Sequence, residues 1–224
     1  MLTSTVATLH DNSAHGDDSY LVRPLGDTAF VDAVMDGVTG RRGQEASQAV
    51  RAALATAMLA SPEDLVAALE AVNQQLYQRG WGRFWLTTVA AALFLDSTLC
   101  VVGIGDSSVL LFRADSYRLL CHRVGGGIHA GIARAVGASK QLLHLSRTAV
   151  TVEPGDRVLL ATDGVTDTVA NSELETIIRQ AASPHDAAER LNSLVTARQQ
   201  QAHLSGDVRP DDWTAILRFF SPAG

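Results

Sequence analysis

Apolar residues follow two rhythms along this chain. Short runs rich in β-branched side chains occur at Leu2–Leu9, Ser19–Arg23, Thr28–Met35, Phe84–Leu95, Thr98–Arg113, Tyr117–Val124, Ala149–Val152, Arg157–Thr162 and Trp213–Phe220, and each reads as extended structure. The first three predict a meander, and Asp96-Ser97 predicts a hairpin between the fourth and fifth. Between these runs the apolar period changes to that of a helix. Gly43–Ala60 carries Ala46, Val50, Ala53, Leu54, Ala57 and Met58 at helical spacing, and Pro62–Tyr77 carries Leu65, Leu69, Val72 and Leu76. Ser61-Pro62-Glu63-Asp64 opens the second of these with a capping hydroxyl, a first-turn proline and two acids facing the helix dipole. Two more helices start near Asn171 and at Ser183-Pro184, the latter with the same Ser-Pro opening. Strands, two helices, strands, two helices and a last strand predict an α+β fold: a four-layer α-β-β-α sandwich, two antiparallel sheets flanked by helix pairs.

One stretch breaks the pattern. Gly125–Ser146 is glycine-rich and reads as a surface loop, with a helical turn over Ile132–Val136. Its GGGIHAG run lacks the spacing and the downstream acid of a dinucleotide-binding loop.

Composition narrows the class. A chain of 224 residues with 46% apolar content is expected to form one domain, residues 1–224, with a substantial core. Its net charge of -6 argues against nucleic acid as the main partner. Two cysteines, Cys100 and Cys121, make no disulfide framework and point to a reducing cytoplasm. The first residues lack a signal-peptide pattern, and no run approaches 18 apolar residues, so no membrane partner is expected. A soluble, cytoplasmic monomer is the expectation.

The chemistry lies at strand ends. Asp36 and Asp163 each close an apolar strand and are each followed by glycine, and Asp18, Asp106 and Asp211 sit at other strand boundaries. Asp-Gly alone is a common turn signal. Five carboxylates meeting in one place would repel each other, and divalent cations would turn that repulsion into ligation. An all-oxygen donor set favours Mg²⁺ or Mn²⁺ over Zn²⁺, with Asp36 and the Gly37 carbonyl as the first pair of ligands. Two such cations about 3.5–4 Å apart can activate a water and stabilise in-line displacement at phosphorus. None of the seven histidines forms a zinc-type HExxH pair, and no Cys-x5-Arg loop is present for thiol-based phosphatase chemistry.

With these residues in view, Asp36-Gly37-Val38-Thr39-Gly40 followed by Gly43 and Ala46-Ser47, then Thr87-Thr88, Gly105-Asp106-Ser107, Thr162-Asp163-Gly164 and Asp211-Asp212-x-Thr214, resemble the metal-dependent protein Ser/Thr phosphatases, the PPM family of type 2C, over Asp18 to Phe220. The resemblance implies a phosphatase acting on phosphoserine or phosphothreonine of proteins, with two Mn²⁺ or Mg²⁺ and a weaker third in some members. By position it implies that Asp36 bridges both metals, Gly37 lends its carbonyl to one, and Asp163 and Asp211 hold the other. Asp18 acts near the Gly37 metal through water, and Asp106 shares the third metal with Asp163. It also implies a phosphorylated protein partner, of the kind made by a Ser/Thr kinase.

Some positions depart from the family pattern. Thr39 replaces a glycine, Ser108 an arginine and Leu86 a glycine, and no arginine precedes Asp18 to grip the substrate phosphate. His10, His15, Arg41, Arg42, Arg123 and Arg134 are the candidates to stand in for it. Two alternatives stay open: a catalytically weak phosphoprotein-binding scaffold of the same fold, and a phosphatase of an anti-sigma-antagonist protein. The Arg41-Arg42-Gly43-Gln44 stretch fits the general protein-phosphatase branch better than the latter.

Overall fold

The structure, a computed structural model, describes residues 2–121, 134–205 and 210–223. Ten strands form two five-stranded sheets, ordered β1-β10-β9-β6-β7 and β2-β3-β4-β5-β8, and every pairing is antiparallel. The first sheet comprises β1 (Leu2–Asp11), β6 (Ser108–Arg113), β7 (Ser116–Cys121), β9 (Arg157–Ala161) and β10 (Trp213–Pro222); the second comprises β2 (Ser19–Pro24), β3 (Phe30–Met35), β4 (Val89–Leu95), β5 (Thr98–Ile104) and β8 (Ser146–Thr151). Helices α1 (Gly43–Thr56) and α2 (Pro62–Gly80) cover the second sheet, while α4 (Asn171–Gln180) and α5 (Pro184–Ser205) cover the first. A single turn, α3 (Asp163–Thr166), follows β9. The four layers are those the periodicity predicts.

Alternation explains why the central strands are almost wholly apolar. Along β3, Val31, Ala33 and Met35 pack under α1 and α2, and Phe30 and Val34 face the other sheet. Along β9, Leu159 faces α4 and α5 while Val158 and Leu160 fill the space between sheets. A strand covered on both faces has no polar side to show. One charge pair sits within that middle layer: Arg218 on β10 donates to Asp32 on β3 through Nε at 2.6 Å and Nη2 at 2.8 Å, under the ring of Phe30. Arginines also close two helix ends, where carbonyls are left without partners. Arg23 takes Leu54 O and Ala57 O at the end of α1, and Arg157 takes Ile178 O and Ala181 O at the end of α4.

Several expectations are corrected. β1 does not join β2 and β3 in a meander; it pairs along its whole length with β10, from Leu2 opposite Pro222 to Asp11 opposite Trp213. The chain then crosses to the other sheet through residues 12–18, and β2 to β5 form the meander. Thr98–Arg113 is two strands in different sheets, the crossing made by Gly105-Asp106-Ser107. Phe84–Thr88 precedes the strand, because Trp85 has φ 59 and gives its N–H to Arg41 O. The first helix stops at Thr56, while the second runs on to Gly80. The turn expected over Ile132–Val136 lies partly outside the described residues, and Val136 bridges to Thr87.

These connections share an edge. β3 and β9 end there, β10 begins there, and the crossings through residues 12–18 and 105–107 pass over it.

Candidate metal centre

Asp36 follows the last residue of β3, and its backbone is clamped from one side. Its carbonyl accepts Thr88 N at 2.7 Å and Thr87 Oγ1 at 2.8 Å, and its N–H donates to Thr88 Oγ1 at 3.2 Å. Thr88 Oγ1 also meets Ser107 Oγ at 2.7 Å, which fastens the Asp106 crossing to the same point. One carboxylate oxygen from each of Asp36, Asp106 and Asp163 lies within 4.8 Å of the others. Asp18 flanks this trio because β2 pairs with β3 in the register Ser19 opposite Met35.

Glycine after each strand-end aspartate has a steric cause. A Cβ on Gly37 would sit 2.3 Å from Gly43 C and 2.6 Å from Asp17 O, and one on Gly164 would sit 1.9 Å from Asp212 O. Both glycines let a second backbone segment press against the aspartate's own turn.

The Asp-Asp doublets divide their work. Neighbouring side chains in extended backbone point to opposite sides. Asp18 turns inward, accepting Thr162 Oγ1 at 2.9 Å and Thr214 Oγ1 at 2.7 Å on Oδ2. With the Thr214 proton given to Asp18, His10 Nδ1 donates to Thr214 Oγ1 at 2.9 Å. Asp17 turns the other way. It accepts Gln44 N at 2.9 Å and Thr39 Oγ1 at 3.0 Å, capping α1 where Arg42 at the N-cap supplies no side-chain bond. In the second doublet Asp211 lies near the cluster, outside the tight trio, with His15 Nδ1 3.5 Å from its Oδ1. Asp212 is buried and takes three backbone N–H groups, from Ala14 and His15 at 3.0 Å and Asp17 at 2.8 Å. It therefore sets the shape of the 12–18 crossing that carries Asp18. Neither Asp17 nor Asp212 stands among the candidate site residues named from the sequence; the Asp-Asp doublet is the signal the two share.

Electrostatics follow from burial and crowding. Burial first, then Asp106, Asp211, Asp167 and Asp18, pushes Asp163 up to about 7. Asp18 is raised to about 7 by burial, against the pull of the Thr214 and Thr162 hydroxyls. Asp36 lies well above the usual carboxylate range, through burial and then Asp163, Asp18, Asp106 and Asp211. Asp211 is raised by burial and lowered by Asp212 N–H and His15. Among the described residues no ion pair reaches Asp18, Asp36 or Asp163. Converging, mutually repelling oxygen donors of this kind fit hard divalent cations.

The candidates for a phosphate grip are scattered. His10 stands behind Asp18, and His15 stands beside Asp211. Arg41 and Arg42 stack on Phe84 and Trp85. Arg134 lies in the turn before Val136, and Arg123 is outside the described residues.

Known proteins share this architecture. The chain matches the family Stage II sporulation protein E (SpoIIE) over residues 38–218. Comparison with curated protein sequences gave no match. Among solved structures, the catalytic domain of the serine threonine protein phosphatase PstP, in complex with two manganese ions, is 24% identical, with a TM-score of 0.75 covering 99% of this chain and 100% of that one. Stp1, a serine/threonine phosphatase from Staphylococcus aureus, is 17% identical, with a TM-score of 0.82 and coverage of 99% and 96%. PppA, a regulatory component of T6SS in Pseudomonas aeruginosa, is 22% identical, with a TM-score of 0.80 and 97% of each chain covered. The chain therefore belongs to the Stage II sporulation protein E (SpoIIE) family, and its antiparallel sandwich is the fold of these phosphatase structures.

Proposed function

We propose that residues 1–224 act as one metal-dependent phosphatase domain that removes phosphate from phosphoserine and phosphothreonine in proteins. The observation that carries this reading is the convergence of Asp36, Asp106 and Asp163, flanked by Asp18 and Asp211, at one edge of the sandwich. Asp36, the Gly37 carbonyl, Asp18, Asp163 and Asp211 would together hold two Mn²⁺ or Mg²⁺ ions, with Asp36 serving both. Asp106 joins Asp163 at a weaker third position. Two cations held there would make a water acidic enough to act as nucleophile near neutral pH and would neutralise charge on the phosphoryl group.

The chain's own contribution is preorganisation. Thr87 and Thr88 fix the backbone of Asp36, and Thr162 and Thr214 orient Asp18 with His10 behind them. Protons held on Asp18 and Asp163 near pH 7 leave on metal binding, so affinity rises with pH.

The test is hydrolysis of p-nitrophenyl phosphate, with and without Mn²⁺, by the wild type and Asp36→Asn. Manganese-dependent turnover lost in the variant supports the enzyme; no turnover at saturating Mn²⁺ favours a phosphoprotein-binding scaffold. The SpoIIE match favours a second reading of the substrate, a phosphorylated anti-sigma-antagonist protein. Assaying that class beside the product of a Ser/Thr kinase decides between them.

A further inference from the structure

The loop leaving the carboxylate cluster carries arginines and aromatic rings that hydrolysis itself does not use. Residues 37–41 and 85–87 run side by side away from Asp36: Gly37 bridges to Thr87, Val38 N donates to Leu86 O at 2.9 Å, and Trp85 N donates to Arg41 O at 2.6 Å. Five residues of chain keep the Arg41 backbone within about 18 Å of Asp36. On this ladder Arg41 lies 5.7 Å from the ring of Phe84, while Arg42 at 5.4 Å and Arg79 at 5.1 Å share the ring of Trp85. Arg83 accepts Arg41 Nη1 on its carbonyl at 3.3 Å. Trp81, at the end of α2, is 78% exposed, and Phe84 is 46% exposed. Beyond Trp81 opens a groove of about 590 Å³ with Tyr77 and Lys140 in its walls.

The charge of this rim runs against that of the whole. Four arginines and a lysine gather here on a chain of net charge -6, and Glu45, 3.3 Å from Arg42, is the acid ion-paired with them among the described residues. A guanidinium stacked on a ring keeps its N–H edge available, is weakly hydrated, and matches a carboxylate with two parallel hydrogen bonds. An extended substrate rises about 3.3 Å per residue, so side chains some three to five positions from a residue held at the cluster reach the rim.

We propose that this rim docks the acidic segment beside the phosphorylated residue of a protein substrate, making the enzyme selective for phosphosites flanked by Asp or Glu. The proposal rests on the phosphatase reading and adds the substrate class to it. Two or three exposed ion pairs together give a preference of about tenfold.

The experiment compares kcat/KM in Mn²⁺ for two phosphothreonine peptides that differ only by exchange of flanking Glu for Gln, with p-nitrophenyl phosphate as a third substrate. It uses the wild type, Arg79→Gln/Arg83→Gln and Arg79→Glu/Arg83→Glu. The wild type is expected to favour the acidic peptide about tenfold at low salt, the ratio falling in 0.5 M NaCl through screening. The ratio is expected to fall toward one in the neutral variant and below one in the reversed variant; as an internal ratio it does not depend on how much active protein each preparation holds. Equal use of both peptides by a wild type that hydrolyses p-nitrophenyl phosphate overturns the proposal and leaves the phosphatase reading standing, as does a preference that survives charge reversal. No hydrolysis of any substrate in Mn²⁺ overturns the phosphatase reading and this proposal with it.

Discussion

Asp163→Asn is expected to stabilise the metal-free protein while disabling it. The Asp163 carboxyl is pushed from 3.8 to about 7, so holding it ionised in the fold carries a penalty the unfolded chain does not have. At about 1.4 kcal/mol per pH unit, the full shift amounts to about 4 kcal/mol at pH 8. Asp18 and Asp36 share the same crowding, so removing one charge recovers a part, about 2 kcal/mol. For a chain of this size that raises Tm by roughly 4–8 °C. The sign follows from proton linkage. A carboxyl whose folded value is raised keeps its proton in the fold after the unfolded chain has lost it, so metal-free stability falls as pH rises from about 4 to about 7. The assay is thermal unfolding in EDTA at pH 5 and pH 8, repeated with saturating Mn²⁺. In EDTA the variant should melt above the wild type at pH 8, and the gap should narrow to less than half at pH 5. With Mn²⁺ the order should reverse, because ions that bind only the folded wild type stabilise it by mass action. A variant that melts below the wild type in EDTA at pH 8, or gains as much from Mn²⁺, refutes the reasoning.

Other perturbations probe the supports of the cluster. Thr214→Val removes the hydroxyl between Asp18 and His10 and is expected to weaken Mn²⁺ affinity about 10–100-fold by calorimetry, with the fold intact by circular dichroism. Asp212→Ala leaves three backbone N–H groups without their carboxylate; a loss of about 3 kcal/mol in urea unfolding is expected, and a loss below about 0.5 kcal/mol would deny Asp212 that role. Asp32→Ala strands the Arg218 charge between the sheets and should cost about 3–5 kcal/mol, whereas Asp32→Leu/Arg218→Met should recover most of it in the same denaturant assay.

What could be read from sequence was whatever the chain states locally. Asp36 and Asp163 stand out because an almost wholly apolar strand ends on a carboxylate and a glycine. Ser61 and Ser183 announced helix starts, and their hydroxyls do accept Asp64 N at 3.2 Å and Asp186 N at 3.1 Å. Partners distant in sequence were not legible. Nothing within Leu2–Asp11 says that its neighbour is residues 213–222, so a meander with the next strand was the local reading. Phe84-Trp85-Leu86 has the composition of a strand, yet Trp85 adopts φ 59 because its N–H is claimed by Arg41 O. The first helix lacks a stop signal of its own; its end is capped from Arg23, on another element. Asp17 and Asp212 bond backbone groups that no side-chain motif announces.

The central claim is that cations gather these carboxylates at one edge, and anomalous scattering from a manganese-soaked crystal addresses it without relying on turnover. Two peaks bordered by Asp36, Asp163 and Asp211 are the predicted result. A crystal at saturating Mn²⁺ with no peak beside Asp36 would contradict the account.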